Sequence, residues 1–264
     1  MILLLDIGNT RVKWGMLEQG TLNVSEDTFP IMEMSAGLDR FLAGTEKPTA
    51  VFISNVAGKE AGAEIKEWIK KIWNITPDFV VARSEYSGIR NAYVKPEQLG
   101  VDRWLAMIGA FQYFSGSNNV LKKESYDNNS SLCIIDCGSA VTIDILAGDG
   151  EHQGGLIIPG LGLMRDSLTE KIQTDANVRT ESTISLLARD TWSAISGGTL
   201  YTLVAAIDRI TTDLRNEMKA NLICIITGGD AKDLLPLLSG EYIFRPNLVL
   251  EGLAVIANET KTEK

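Results

Sequence analysis

The sequence predicts an α/β fold of two similar domains, each a mixed five-stranded sheet with flanking helices, and a cleft where the two adjoin. Three observations predict it. First, residues 2–16 (ILLLDIGNTRVKWGM) and 132–146 (LCIIDCGSAVTIDIL) echo each other: an apolar strand ends in Asp-x-Gly, passes a small polar residue and continues as a second strand. Asp6 answers to Asp136, Gly8 to Gly138 and Asn9 to Ser139, at an offset of about half the chain, which marks a duplicated domain rather than a short repeat. Second, the same order of periodic segments follows each echo. Third, Ser115–Ser130 is polar and rich in Asn and Ser, the composition of a linker.

Taken in order, strand-like runs cover 2–6, 11–17 and 21–28, and helical spacing covers 33–43. A strand at 50–54 (AVFIS), a helix at 59–72, a strand at 78–82 and a helix at 98–114 complete the first half. In the second half, strands at 131–137, 140–147 and 153–158 precede a long helical region over 190–218. A strand at 221–226, a helix at 231–238, a short strand at 241–244 and a helix at 250–258 follow. Each half therefore reads βββ-α-β-α-β-α, with domains at 1–118 and 131–258 and a linker at 119–130.

Composition narrows the function. The chain has 264 residues, 45% hydrophobic and 22% charged, as a compact soluble protein would. A net charge of −9 without a basic cluster argues against a nucleic-acid partner. It leaves nucleotides open, because backbone N–H groups and one or two cations suffice for a phosphate. Met1–Leu5 lacks a basic flank and stops at Asp6, and no run approaches the ~20 apolar residues of a membrane span, so a cytoplasmic protein with no membrane partner is expected. Cys133, Cys137 and Cys224 lie in apolar, strand-like sequence with no zinc spacing and read as buried thiols of a reducing compartment. His152 is the single histidine, and nothing around it suggests a Ser-His-Asp or Cys-His mechanism.

No Walker A or GxGxxG sequence is present, so a nucleotide site needs another device. The candidate is the run Asp6–Gly15. Gly8 allows a tight turn where a phosphate approaches backbone amides, Asn9, Thr10, Arg11 and Lys13 add donors, and Asp6 suits a magnesium ion. An Asx-capped β-turn accounts for the same residues. The second copy, Asp136–Thr142, and a third Gly-rich strand end, Thr227–Asp230, favour the nucleotide reading. In Leu99–Trp104, Asp102 and Arg103 are either a charge-satisfied helix start or a proton acceptor beside an anion-binding cation. Gly154–Gly162 is a simple connection or a place where backbone approaches a ligand. The Gly197–Gly198 pair in the long helical region implies close packing, a dimer contact or ligand binding.

Taken together, DIGNTRVKWG at 6–15, GVDRW at 100–104, DCGSAVTID at 136–144, GGLIIPG at 154–160 and the Thr191–Gly197 segment resemble the type III pantothenate kinases of coenzyme A synthesis, along essentially the whole chain. The resemblance implies two ribonuclease-H-like domains of the acetate kinase, sugar kinase, Hsp70 and actin superfamily. It also implies ATP-dependent phosphorylation of pantothenate to 4′-phosphopantothenate by a homodimer. Carried over by motif position, Asp6, Ile7, Gly8, Asn9, Thr10, Arg11, Val12, Lys13 and Ser139 bind ATP, with Asp6 near Mg²⁺. Asp102 is the proton acceptor, and Tyr93, Gly100, Val101, Asp102, Arg103 and Thr191 hold pantothenate. Asp136 takes the monovalent cation, K⁺ or NH₄⁺. The family usually has Thr at position 139; Ser139 keeps the hydroxyl and loses a methyl group.

Two other functions fit parts of the pattern. A sugar kinase or exopolyphosphatase of the same superfamily shares the paired loops but not the Tyr93–Trp104 segment. A non-catalytic transcriptional accessory relative has no need of Asp6, Asp102, Arg103 and Asp136 together.

Overall fold

In a computed structural model, residues 1–115, 130–172, 185–218 and 221–262 are described. They form two compact units. Of the described residues, the first unit takes 1–115, 146–154 and 247–262, and the second takes 130–145 and 155–246. Residues 119–129 of the expected linker lie outside the described residues, and Ser130 already opens a strand.

The first unit contains β1 (Ile2–Ile7), β2 (Arg11–Glu18), β3 (Thr21–Val24), β4 (Phe29–Pro30), α1 (Met34–Phe41), β5 (Ala50–Asn55), α2 (Lys59–Trp73), β6 (Asp78–Phe79), β7 (Glu85–Tyr86), β8 (Ile89–Arg90) and α3 (Val101–Ser115). Its main sheet runs β3-β2-β1-β5-β6, with β4 paired to β2. The unbroken apolar run of β1 suits a central strand covered on both faces. Leu3, Leu5 and Ile7 face a core with Ile65, Trp68, Ile69 and Trp73 of α2, whose spacing makes one apolar stripe. Strand alternation turns Ile2, Leu4 and Asp6 to the opposite face. α2 stops where Asn74 takes a left-handed conformation, φ 53°.

The second half supplies β9 (Ser130–Cys137), β10 (Ala140–Ala147), β11 (His152–Pro159), α4 (Leu161–Ile172), α5 (Thr191–Met218), β12 (Asn221–Thr227), α6 (Ala231–Leu234), β13 (Ile243–Phe244) and α7 (Leu248–Thr262). The sheet order is β11-β10-β9-β12-β13, the order of the first sheet strand for strand. Cys133, Ile135 and Cys137 pack with Leu200, Leu203 and Ile207 of α5. All three cysteines are buried free thiols.

The structure differs from the expected elements in several places: β4 makes the first sheet six-stranded where five strands were expected, and α4 is additional to the expected element order. The helix expected at 231–238 is α6 followed by a 3-10 turn at Leu235–Leu237, because Pro236 removes a backbone donor. The strand expected over 78–82 keeps only two residues, and the following segment forms the small β7–β8 hairpin. α7 begins two residues earlier than expected and packs on α3, β1 and β5 of the first unit. Gly109 and Gly252 sit at that helix contact.

Candidate active site

Asp6 closes β1 on the face turned away from α2, and the strand register sets Lys13 of β2 and Ser54 of β5 on either side of it. Burial pushes its carboxyl up from the ordinary 3.8 to about 6; Lys13 and the hydroxyl of buried Ser54 pull it down, and Asp102 pushes it up. Ser54 Oγ reaches no partner in full hydrogen-bond geometry among the described residues. Two carboxylates, Asp6 and Asp102, thus share one electrostatic environment within the first unit. A raised carboxyl pKa means that the folded chain holds the proton more tightly than the unfolded chain. Stability therefore falls as pH rises from about 4 to about 6 and stays lower above that. In metal-free buffer, Asp6→Asn should remove this dependence and melt higher than the parent above pH 6, by about 1–3 kcal/mol. A parent with a flat stability profile between pH 4 and 7 would contradict it.

The β1–β2 turn follows. Gly8 N–H donates to Arg11 O at 3.0 Å, and Asn9, Thr10 and Arg11 are exposed. Ile7 and Val12 belong to the core, so these two offer a ligand only their backbone groups. Arg11 is engaged locally, donating from Nε to Thr28 Oγ1 at 2.9 Å and from Nη2 to Thr28 O at 3.2 Å.

The segment expected to hold substrate is brought together at the start of α3. Asp102 Oδ1 accepts Arg103 N–H at 2.8 Å, and the positive end of the helix stabilises the carboxylate. Arg103, only 5% exposed, donates from Nη1 to Tyr93 OH at 2.9 Å, and its guanidinium lies 5.7 Å from the Tyr93 ring centroid. Tyr93 stacks on His152, centroids 6.1 Å apart and planes at 11°. Sequence reading assigned His152 no role, and Asn91 and Ser54 went unremarked. The available signal for His152 was its being the single histidine, beside a Gly-Asp-Gly turn.

In the second unit, three strand ends converge. Gly138 N–H donates to Ala140 O at 3.1 Å, Gly160 N–H to Ser139 O at 3.2 Å and Asp230 N–H to Cys137 O at 3.0 Å. Gly228 has φ +95°, and a Cβ there would overlap Cys137 O and approach Asp136 Oδ1 at 2.5 Å. Gly160 and Gly228 thus press backbone against the Asp136–Ser139 turn, whereas a Cβ at Gly154, Gly162 or Gly229 would meet nothing within 4 Å. Asp230 is pushed up by burial and by Asp233, with Arg165 opposing. Burial, then Asp136 and Asp230, hold the Cys137 thiol neutral. Thr191 is the exposed first residue of α5, behind Asp190, whose Oδ1 accepts Ser193 N–H at 2.8 Å as a helix cap. Gly197 lies where a Cβ would come 2.9 Å from Ser185 O, whereas a Cβ at Gly198 meets nothing within 4 Å.

Among the described residues, no group of three or more His, Cys, Asp or Glu side chains could hold a metal ion. A lone carboxylate such as Asp6 suits Mg²⁺ arriving with phosphate oxygens and water. No helix among these residues is long and apolar enough to cross a membrane.

Comparison with known proteins gives a consistent result. The family model for type III pantothenate kinase matches residues 2–213. A type III pantothenate kinase of Nitrosococcus oceani is 43% identical over 98% of this chain and 95% of its own. That of Azoarcus sp. strain BH72 is 36% identical over 97% and 90%. Among solved structures, a Baf family protein from Campylobacter jejuni, described as a transcriptional activator, aligns with TM-score 0.55 and 22% identity over 98% of this chain and 99% of its own. The activator of 2-hydroxyisocaproyl-CoA dehydratase from Clostridium difficile, with bound ADPNP, aligns with TM-score 0.52 and 13% identity over 100% and 97%. At these identities the structural likenesses carry fold alone. That fold has two ribonuclease-H-like domains, as the family resemblance implies, and the internal echo predicts their duplication.

Proposed function

The chain belongs to the type III pantothenate kinase family, and we infer from this that it transfers the γ-phosphoryl group of ATP to the primary hydroxyl of pantothenate. The products are 4′-phosphopantothenate and ADP, and the step opens coenzyme A synthesis. One arrangement carries the reading within the fold: Asp102, Arg103 and Tyr93 gathered at the start of α3, in the electrostatic reach of Asp6.

In the assigned roles, Asp102 accepts the proton as the substrate hydroxyl oxygen forms its bond to the γ-phosphorus, and ADP leaves with the bridging oxygen. Arg103 neutralises the anionic end of pantothenate, held with Tyr93, Gly100, Val101 and Thr191. The Gly8–Thr10 turn offers backbone amides to the phosphates, joined by Arg11, by Lys13 and by the backbone of Ile7 and Val12. Ser139 is assigned a hydroxyl contact to ATP. Asp6 holds Mg²⁺ directly or through water, and Asp136 takes K⁺ or NH₄⁺. Held at Asp6, Mg²⁺ would supply charge neutralisation for the transferring phosphoryl group.

The duplicated halves remain 1–118 and 131–258 in sequence, while the compact units gather 146–154 and the last helix with the first half. We place the protein in the cytoplasm, in keeping with its free thiols and its acidic charge, and assign it no nucleic-acid or membrane partner. A second copy of the chain is the proposed partner. Pro159, Leu163, Met164, Leu168, Ile195 and Gly198 line an apolar hollow of about 550 Å³ on α4 and α5, and Leu163 is 54% exposed beside it.

The test is ADP release with pantothenate, sugars, acetate or polyphosphate as acceptor, with and without K⁺, on protein sized by light scattering. Turnover with pantothenate alone, stimulated by K⁺ and carried by a dimer, is expected. Activity with sugars but not pantothenate would overturn the reaction, and a monomeric mass would overturn the partner.

A further inference from the structure

The side chains at the start of α3 are held by a turn from the other half of the sequence. Between β10 and β11, Ala147 N–H donates to Glu151 O and Gly150 N–H to Ala147 O, both at 2.9 Å. Gly150, with φ +86°, lies so close to Gly88 that a Cβ would overlap the Gly88 carbonyl. Arg90 N–H donates to Gly150 O at 2.9 Å, and the Arg90 guanidinium lies 2.7 Å from Glu151 and 3.4 Å from Asp149. These contacts deliver His152, 1% exposed, beneath residues 92 and 93. Its Nδ1 accepts Ala92 N–H at 3.5 Å, and its ring lies against that of Tyr93. Asn91 holds the next peptide N–H along the chain. Its Oδ1 accepts Tyr93 N–H at 3.0 Å, while Nδ2 donates to Arg83 O at 3.1 Å and Pro96 O at 3.3 Å. Tyr93 OH then accepts from Arg103.

We propose that His152 is a positioning residue for substrate recognition. It holds the Tyr93 ring, and through the phenol oxygen the Arg103 guanidinium, in the geometry that receives the anionic end of pantothenate. The proposal rests on the assignment of Tyr93 and Arg103 to pantothenate made above. An imidazole supplies two things at once that an aliphatic side chain cannot: a flat face for the phenol ring, and an in-plane acceptor for the Ala92 N–H.

The experiment is a double-mutant cycle on the full-length enzyme with His152→Leu and Tyr93→Leu, reading KM for pantothenate, KM for ATP and kcat. His152→Leu should raise KM for pantothenate about five- to tenfold, near the top of what an aromatic stack contributes, with KM for ATP and kcat within about twofold. In the Tyr93→Leu background it should add nothing, since the ring it positions is gone. His152→Phe keeps the stack and loses the acceptor, so its KM for pantothenate should rise about two- to threefold; it gives the same test should the leucine variant not fold. A KM effect that multiplies with Tyr93→Leu, or one shared equally by ATP, overturns the proposal, because both point to a general structural role. If Tyr93→Leu raises KM for pantothenate and neither His152 variant does, the proposal falls and the assignment of Tyr93 stands. If Tyr93→Leu leaves it unchanged, that assignment falls and takes the proposal with it.

Discussion

Asp102→Asn is expected to lower turnover by about 10³-fold while ATP binds as before, within the range that general-base catalysis supplies. The substitution is close to a pure test of proton acceptance. Asn keeps an Oδ1 that can take the Arg103 N–H bond now made by Asp102 at 2.8 Å, so the start of α3 retains its end group. What it loses is the negative charge and the basic lone pair. The change also removes a like charge from the surroundings of Asp6, whose carboxyl Asp102 helps to push up. Nucleotide affinity should therefore hold or improve slightly. Calorimetric titration with a non-hydrolysable ATP analogue, alongside single-turnover phosphoryl transfer to pantothenate, separates the two effects. Unchanged turnover would remove Asp102 from its role.

Gly252→Ala is expected to destabilise the protein by about 2–4 kcal/mol, despite the roughly 1 kcal/mol that alanine gains over glycine inside a helix. A Cβ at Gly252 would overlap Leu105 O and come 2.7 Å from the Leu105 carbonyl carbon; one at Gly109 would come 2.6 Å from Leu248 O. The atoms met are backbone, not the movable end of a side chain, so one whole helix must shift. That helix is α3, whose first turn carries Asp102 and Arg103, so activity should fall together with stability. Gly162→Ala is the control: nothing lies within 4 Å of its added Cβ, and no loss is expected. Urea midpoints for the two variants check the comparison. Equal midpoints would mean that α3 and α7 are not in the contact described.

Much of the fold was legible because its cues are local. The apolar run of β1, the stripe of α2 and the two Asp-x-Gly turns each announce themselves within a few residues, and their repetition announces the matching sheet orders. Elements were lost where two local signals compete, as at Pro236, or where a strand is only two residues long, as at Asp78–Phe79. The Tyr93–Arg103 segment was legible as a group because it is contiguous, and the structure closes it through one hydrogen bond.

The sequence by itself determined which residues can do chemistry: two carboxylates at homologous strand ends, a third at the start of a helix, and glycines where backbone must come close. It could not say that Ser54 stands beside Asp6, because the register that pairs Asp6 with Ser54, 48 residues further on, leaves no local mark. Nor could it say that α7, at the end of the second half, packs on the helix bearing Asp102, or that a turn around Gly150 carries His152 to Tyr93. Those placements are decided by burial and close backbone approach between distant segments. A lone histidine in a polar turn becomes a buried ring only once tertiary packing has closed over it.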